Sequence, residues 1–215
     1  MDLLTHSASG TLHAESMGGS SLRRRRRRVT SRWVGRWVGA WLALWLGLAV
    51  WPLTPELQAQ SLEYQVKAAF LLNFTKFVDW PAAAFAAPDA PITICVIGDD
   101  PFGAILDRTV QGESVNGRAV RARRLVPEAN PRSCHVLFIS RSEQGSLDLI
   151  FAALRGSSTL TVSELPGFTR VGGMIEFLIE DGKVRFYINA AAADAASVKL
   201  SSRLLRVAKE VRGAR

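Results

Sequence analysis

Residues that could carry out chemistry are few in this sequence, and they do not assemble into a catalytic set. Beyond residue 59 the only histidine is His135, which stands at the start of an apolar run. Nucleophilic catalysis needs a base beside the nucleophile, and a transition-metal site needs several His or Cys ligands. The sequence has no glycine-rich phosphate loop and no serine nucleophile elbow. We therefore predict no enzymatic activity, no cofactor and no metal site, and we interpret His135 as structural.

Two adjacent acids, Asp99 and Asp100, come directly after an apolar run and offer the sharpest rival interpretation. Response-regulator receivers hold magnesium with such a pair, but they also need an aspartate at the end of the third strand. Ser140 occupies that position here. We interpret the acids as caps of a helix N-terminus, where carboxylates satisfy free N–H groups and favour the helix dipole.

Cys95 and Cys134 are the two cysteines of the chain, and each lies in or beside an apolar run typical of a buried strand. In an exported protein two such cysteines are more often joined than free. We predict a disulfide between them, with two inert buried thiols as the alternative.

The net charge of +8 would fit a nucleic-acid binder, but most of the excess lies near the start of the chain. Residues 1–59 carry eight arginines against three acids, and the remaining residues carry 19 Lys/Arg against 16 Asp/Glu. A second basic cluster, Arg118, Arg121, Arg123 and Arg124, has no interleaved aromatic residues. It is typical of a solvated edge strand guarded by charge, and no nucleic-acid partner is predicted.

The arginine block Arg23–Arg28 precedes an uncharged apolar run, 37–53, and then the small-residue ending Leu57-Gln58-Ala59. This order is typical of a secretory leader, and the positive-inside rule keeps the arginines in the cytoplasm. We predict a leader over 1–59, with translation starting at Met17 as a hypothesis, and one domain over 60–215. An uncleaved membrane anchor is the alternative.

The remaining sequence predicts a single α/β domain: a mixed, mostly parallel sheet flanked by helices on both faces, with a C-terminal β-hairpin and helix. A first helix starts at the cap Ser61 and ends at Trp80-Pro81. A second begins at Pro101 and a third spans 142–154. Buried strands are predicted at 92–97, 135–139 and 159–162, a half-exposed strand at 117–126, and a hairpin at Asp181-Gly182. The last helix is predicted over 191–211.

The segment Glu63-Tyr-Gln-Val-Lys-Ala-Ala-Phe-Leu-Leu-Asn-Phe-Thr-Lys-Phe-Val-Asp-Trp-Pro81 resembles the opening of YfiR-like periplasmic proteins. Gly173-Met-Ile-x-Phe177, Val184-Arg-Phe186, Ile188-Asn189-Ala and Leu200-x-x-x-Leu204-Leu205-x-x-Ala208 resemble the closing hairpin and helix of the same family. The resemblance covers nearly all of 61–211. It implies an α/β fold, a periplasmic location and no catalysis, and Cys95 and Cys134 fit a disulfide position of the family.

The resemblance also implies a function in signalling. A YfiR-like protein binds the periplasmic sensor domain of an inner-membrane diguanylate cyclase and represses it, which lowers cyclic-di-GMP output and biofilm formation. The family also implies a second partner, an outer-membrane lipoprotein that sequesters the repressor. The sequence does not decide between a monomer and a homodimer.

Five residues are candidate partner contacts: Asn73, Lys76 and Trp80 near the end of the first helix, Phe168 in a Pro-Gly loop, and Asn189 after the hairpin. For each of them a structural role, such as a plug or a side-chain cap, is the alternative. The alternative function is a periplasmic small-molecule binding protein, with a ligand in the cleft near Asp99 and Ser140 at the carboxyl ends of the strands.

Overall fold

The computed structural model describes residues 55–126 and 129–213, and the predicted leader up to residue 54 lies outside the described residues. Its helices are α1 (Pro55–Phe77), α2 (Ala104–Val110), α3 (Leu147–Leu154), α4 (Ala190–Ala195) and α5 (Ser202–Val207). Its strands are β1 (Val78–Asp79), β2 (Ile92–Ile97), β3 (Ser114–Val115), β4 (Arg118–Leu125), β5 (Val136–Ile139), β6 (Leu160–Ser163), β7 (Ile175–Glu180), β8 (Lys183–Asn189), β9 (Lys199–Leu200) and β10 (Glu210–Arg212). None of the helices in this part of the chain has the length and apolar character needed to cross a membrane.

The main sheet has eight strands in the order β10-β8-β7-β6-β5-β2-β4-β3. Strands β4, β2, β5, β6 and β7 are parallel neighbours, whereas β3 pairs antiparallel to β4 and β8 pairs antiparallel to β7. The last strand, β10, is parallel to β8 along residues 187–189. The predicted mixed, mostly parallel sheet is therefore confirmed.

Helices cover both faces of this sheet because its central strands are apolar on both sides. In β2 and β5, Ile94 and Phe138 point into a core shared with α1, α2, α4 and α5. Their neighbours Cys95 and Leu137 point into the second core, which α3 covers. Successive side chains of a strand alternate between faces, so continuous apolar runs fill two cores at once.

Helix α1 begins at Pro55, earlier than the predicted cap at Ser61. Proline suits the first helical position, because its fixed φ matches the helix and its missing N–H would have no partner there. The other end lies at Phe77, where the backbone passes into β1 just before Trp80-Pro81. Phe70 and Phe74 hold the helix on the sheet, with ring centroids 5.4 Å and 5.3 Å from that of Phe186.

The predicted C-terminal helix over 191–211 is wrong, because the structure divides this segment into α4, β9, α5 and β10. Helix α4 is followed by Ser197, whose φ of 57° turns the chain out of the helical path. The next residue, Val198, is fully buried. Ser201 then caps α5 by accepting a hydrogen bond from the N–H of Leu204 at 3.3 Å. Pairing of β9 with β1 and of β10 with β8 satisfies backbone groups that a continuous helix would have bonded internally.

Two further helix starts differ from the sequence prediction. Helix α2 begins at Ala104, and Asp100 accepts a hydrogen bond from the N–H of Phe102 at 2.8 Å in the turn before it, without capping the helix. The segment predicted as a helix over 142–154 starts as a 3-10 helix, Arg141–Ser146, and becomes α-helical at Leu147. The hairpin is as predicted, with φ of 49° at Asp181 and 70° at Gly182.

Candidate functional site

A groove of about 890 Å³ opens between the first turns of α1 and the hairpin formed by β7 and β8. We call it the hairpin groove, and it is lined by Ala59, Gln60, Leu62, Glu63, Val66 and Phe70 on the helix and by Ile179, Gly182, Lys183, Val184 and Arg185 on the hairpin. Its side chains are mainly apolar and open to solvent: Leu62 is 61 % exposed, Ile179 is 48 % exposed and Val66 is 37 % exposed. Because several exposed apolar side chains meet in one groove, we treat it as a candidate interaction surface.

The groove exists because α1 runs on past the part of the sheet that covers it. Farther along the helix, the Phe70 and Phe74 rings close against the sheet beside Phe177. Toward its start, the apolar stripe of α1 continues with Val66 and Leu62, which are exposed in the part of the chain that the structure describes. Periodicity along the sequence identifies the apolar face of a helix without showing how far other elements cover it.

A buried network of charges fixes α1 to the carboxyl end of β6. Lys67 is 1 % exposed and forms ion pairs with Glu63 on its own helix and with Glu164, which is 6 % exposed. Glu164 also accepts hydrogen bonds from Tyr64 at 3.1 Å and from Arg141 at 3.0 Å. Burial and the Glu164 carboxylate raise the pKa of Tyr64 to about 12, so its hydroxyl stays a donor. Each buried charge therefore has a partner.

Three of the predicted partner contacts lie in the last turns of α1 or just after its end. Asn73 and Lys76 are exposed, and Lys76 lies 3.3 Å from Glu113 in an ion pair whose two side chains are both 41 % exposed. Trp80 is half-buried, with its ring edge-on to His135 at a centroid distance of 5.7 Å. The structure thus brings Asn73 and Lys76 to the surface and uses much of Trp80 as packing.

The other two predicted contacts have structural roles. Phe168 is 1 % exposed and packs against Phe151, with ring centroids 5.7 Å apart. Asn189 caps α4 by accepting a hydrogen bond from Ala192 N–H at 3.0 Å, and it donates one to the carbonyl of Thr169 at 2.9 Å. The structure therefore gives both side chains a structural role: Phe168 is a buried ring, and the amide of half-buried Asn189 serves a helix cap and a loop contact.

Cys95 and Cys134 form a disulfide, with Cα atoms 5.8 Å apart, that joins β2 to a position two residues before β5. Neither cysteine is accessible, at 0 % and 3 % exposure. The Arg123 guanidinium lies over the bond, 4.0 Å from Cys95 Sγ and 3.7 Å from Cys134 Sγ, and it donates to Ser133. The bond therefore belongs to the second core.

The chain itself occupies part of the cleft predicted near Asp99 and Ser140. The 3-10 helix after β5 packs against Gly98, where an added Cβ would meet Ser142 Oγ and would lie 2.8 Å from Glu143 Cγ. Ser142 also accepts a hydrogen bond from the N–H of Asp99 at 2.9 Å. Ser140 is 5 % exposed. A cavity of about 590 Å³ remains beside this turn, lined by Asp99, Glu143 and the apolar side of α3.

Three of the four clustered arginines on β4 make intramolecular contacts. Arg124 pairs with Asp100 at 2.8 Å and Asp107 at 2.5 Å. Arg118 donates to the carbonyl of Ala90 at 2.8 Å and lies over the Phe85 ring. Arg123 covers the disulfide. Through these three sets of contacts, the arginine cluster holds loops and helices of the domain in place.

Among residues 55–126 and 129–213, no group of three or more His, Cys, Asp or Glu side chains could hold a metal ion.

The fold and these contacts define a small α/β protein that carries an open apolar groove on its described surface. The chain belongs to the YfiR/HmsC-like family, whose model matches residues 64–209. Membership of this family suggests a periplasmic, non-enzymatic regulator of diguanylate cyclase signalling. No curated protein matches the sequence.

Two solved structures are similar to the chain at low identity. The ABC domain in complex with L-Trp from Streptococcus pneumonia is 9 % identical, with a TM-score of 0.46 over 67 % of this chain and 60 % of that one. A conserved domain protein from Vibrio cholerae is 11 % identical, with a TM-score of 0.42 over 56 % of this chain and 54 % of that one. The chain spans less than two thirds of either structure, and neither similarity bears on its function.

Proposed function

We propose that this protein is a periplasmic signalling regulator that binds the sensor domain of an inner-membrane diguanylate cyclase and represses it, lowering cyclic-di-GMP output and biofilm formation. The family match over residues 64–209 carries this proposal. Repression needs no chemistry in the regulator. It requires only that binding favours the inactive one of two receptor conformations.

Export is part of the proposal, since the sensor domain lies outside the cytoplasm. Residues 1–59 act as the leader, cleaved after Ala59, and 60–215 form the exported domain, which keeps α1 from Gln60 onward and every groove residue except Ala59. An outer-membrane lipoprotein that competes for the regulator supplies the release step. In the alternative arrangement the apolar run stays uncleaved and anchors the domain to the same membrane face.

The exposure of Asn73 and Lys76 near the end of α1, and the partial exposure of Trp80 after it, support a contact role for these three residues. In an interface a few side chains carry most of the binding energy, and tryptophan is enriched among them. Lys76 gives up little on binding, because an exposed ion pair such as Lys76–Glu113 contributes about 0–1 kcal/mol.

Deletion of the gene tests the function directly. Cyclic-di-GMP, measured by mass spectrometry, is expected to rise in the deletion strain and to return to its original level with the full chain. A chain that lacks residues 1–59 is expected not to restore it. Unchanged cyclic-di-GMP after deletion, or full complementation by the leaderless chain, would contradict the proposal.

Charge reversal tests the contact surface in the same strain. The N73R/K76E variant is expected to lose repression while it unfolds at the same temperature as the wild type. R121E, on an exposed arginine of β4 for which the structure gives no side-chain contact, is the matched control and should repress normally. Normal repression by N73R/K76E removes this surface from the proposal.

The alternative function, small-molecule binding, is tested by thermal-shift screening with amino acids and nucleotides. A ligand that binds only the folded protein raises its unfolding temperature by mass action. We expect no stabilisation, because a regulator that binds only other proteins has no small ligand, and Ser142 and Glu143 already pack on Gly98 in this cleft. A reproducible shift would favour the alternative.

A further inference from the structure

The outer side of β8 is unpaired along half its length. Strand β10 pairs with residues 187–189, and Lys209 N–H donates to the carbonyl of Phe186, but no described strand pairs with the outer side of 183–185. In the β7–β8 hairpin, Glu180 and Lys183 flank a two-residue turn and form a hydrogen-bonded pair. Hydrogen-bonded and non-hydrogen-bonded pairs alternate along an antiparallel ladder, so the next pair, Ile179 and Val184, is not hydrogen-bonded. The N–H and C=O of Val184 consequently point away from β7, toward the open edge.

This open edge adjoins the hairpin groove. Val184 pairs with Ile179 across the hairpin, and their side chains face the groove together with Leu62 and Val66 of α1. Lys183 and Arg185 also belong to the groove lining, but their exposed side chains alternate with that of Val184 and so leave the strand on its opposite face. Neither has an ion-pair partner within the described part of the chain, whereas Glu180 is paired with Lys209.

The charges at this edge oppose pairing between two copies of the chain. An antiparallel, two-fold pairing centred on Val184 would place Lys183 directly opposite Arg185 of the second copy, twice. Like charges directly opposite each other destabilise a strand pair. The same two cations would stabilise an incoming strand that carries carboxylates at those positions.

We propose that the open edge of β8 and the hairpin groove together bind an extended segment of a partner protein in which acidic and apolar residues alternate. The segment adds to the sheet antiparallel to 183–185 and exchanges hydrogen bonds with Val184. Its apolar side chains enter the groove against Leu62, Val66 and Ile179, and its carboxylates pair with Lys183 and Arg185. Main-chain bonds give such a site affinity, and the alternating side chains give it specificity. The inference deepens the proposed function, on which its role in signalling rests.

A synthetic peptide provides the probe: a fluorescein-labelled octamer of alternating Glu and Leu or Val. Its binding is measured by fluorescence anisotropy with the exported form of the protein, purified after the cell has processed it. We expect saturable binding with a Kd below about 1 mM, the affinity of a weak but specific contact. A peptide with Lys for Glu, and one N-methylated at alternate amides, are each expected to bind about tenfold more weakly or not at all.

Variants of the protein separate the two halves of the site. L62D and I179D should weaken peptide binding about tenfold through the groove, and K183Q/R185E should do so through the charges. Their matched controls are L149D on α3, where Leu149 is 74 % exposed, and K199Q/R203E, which removes the same charge elsewhere. The controls should bind as the wild type does.

Several results would overturn the inference: no binding by the wild type, equal binding of the acidic and N-methylated peptides, or loss of binding in the controls as well. Analytical ultracentrifugation adds another. If the protein is a dimer that L62D or I179D dissociates, the occupant is a second copy and the proposal is wrong. Peptide binding together with unchanged cyclic-di-GMP after gene deletion would refute the proposed function and leave this site standing.

Discussion

Among the described side chains, Lys67 is the cation with the least exposure, and it has a carboxylate on each side. Removing one member of a buried ion pair leaves the other charge without its partner in a medium that solvates it poorly. The network therefore stabilises one position of α1 on the sheet. The Glu164 carboxylate, paired with Lys67, also accepts hydrogen bonds from Tyr64 and Arg141 and so holds both side chains in place.

We expect K67M to lower the free energy of unfolding by about 3 kcal/mol, since Glu164 stays buried with fewer donors. The double variant K67M/E164Q should recover part of this loss, because the neutral amide no longer needs a cation. Urea unfolding followed by circular dichroism measures both. K76M, at the exposed pair with Glu113, is the control and should change stability by about 0–1 kcal/mol. Equal losses in K67M and K76M would contradict the argument.

His135 makes stability depend on pH. Burial and the nearby Arg118 cation lower the pKa of His135 below its ordinary 6.5, while its Nδ1 accepts the N–H of Thr93 at 3.1 Å. Folding therefore selects the neutral ring. Below about pH 6.5 the unfolded chain takes up a proton that the folded chain does not, so stability falls as the pH drops.

The expected result is a decrease in unfolding free energy between pH 7.5 and pH 5 that is smaller in H135N than in the wild type. Asparagine keeps an oxygen acceptor for Thr93 and cannot titrate in this range. Urea titrations at the two pH values give the comparison. An identical decrease in both proteins would show that His135 does not contribute.

At the scale of elements, the C-terminal segment illustrates the limit of periodicity. Its alanines and its spaced Leu and Val residues predict one long helix, and each of the two short helices uses part of that pattern. The break at Ser197 buries Val198 and provides β9 and β10 as partners for β1 and β8. Tertiary pairing outweighed local propensity.

Substitution of Ser197 by glycine distinguishes the broken helix from a continuous one. At a φ of 57°, S197G should raise the free energy of unfolding by about 0.5–1 kcal/mol, because glycine adopts this conformation without steric cost. In a continuous helix the same change would lower it by a similar amount. A195G, at an exposed position of α4, is the control and should be destabilising.

The disulfide joins β2 to Cys134, just before the neighbouring strand β5, and the two cysteines are 39 residues apart in sequence. A loop of that length gives about 4 kcal/mol in the chain-entropy model, because the bond restricts the unfolded chain. We expect urea unfolding with dithiothreitol to show a loss of that order in the wild type. The C95A/C134A variant should be destabilised and insensitive to the reductant. If the wild type is unfolded and refolded in dithiothreitol and its free energy of unfolding is unchanged, the disulfide does not have this role.

At the scale of the whole molecule, export determines which partners the domain meets. Residues 1–59 fused to alkaline phosphatase, an enzyme that becomes active only outside the cytoplasm, should give activity, and deletion of 37–53 should abolish it. Mass spectrometry of the exported protein should find Gln60 at its N-terminus. A protein retained in the membrane with residues 37–53 intact would show the anchored alternative, and an inactive fusion would refute export.

The sequence by itself determined the fold class, the central strands, the hairpin and the family resemblance. These features rest on local signals: continuous apolar runs, the Asp181-Gly182 turn, and residues at fixed spacing in one helix. The disulfide was also predictable, since a chain with two cysteines, both in or beside apolar core segments, allows only one intramolecular pairing.

Only the tertiary structure decided which apolar and polar residues are accessible. Phe168 and Asn189 have the residue types of partner contacts, yet one is buried and the other caps a helix. Leu62 and Ile179 have the residue types of a core, yet they line an open groove. Burial depends on where distant segments of the chain meet, and the spacing of residues along one segment does not contain that information.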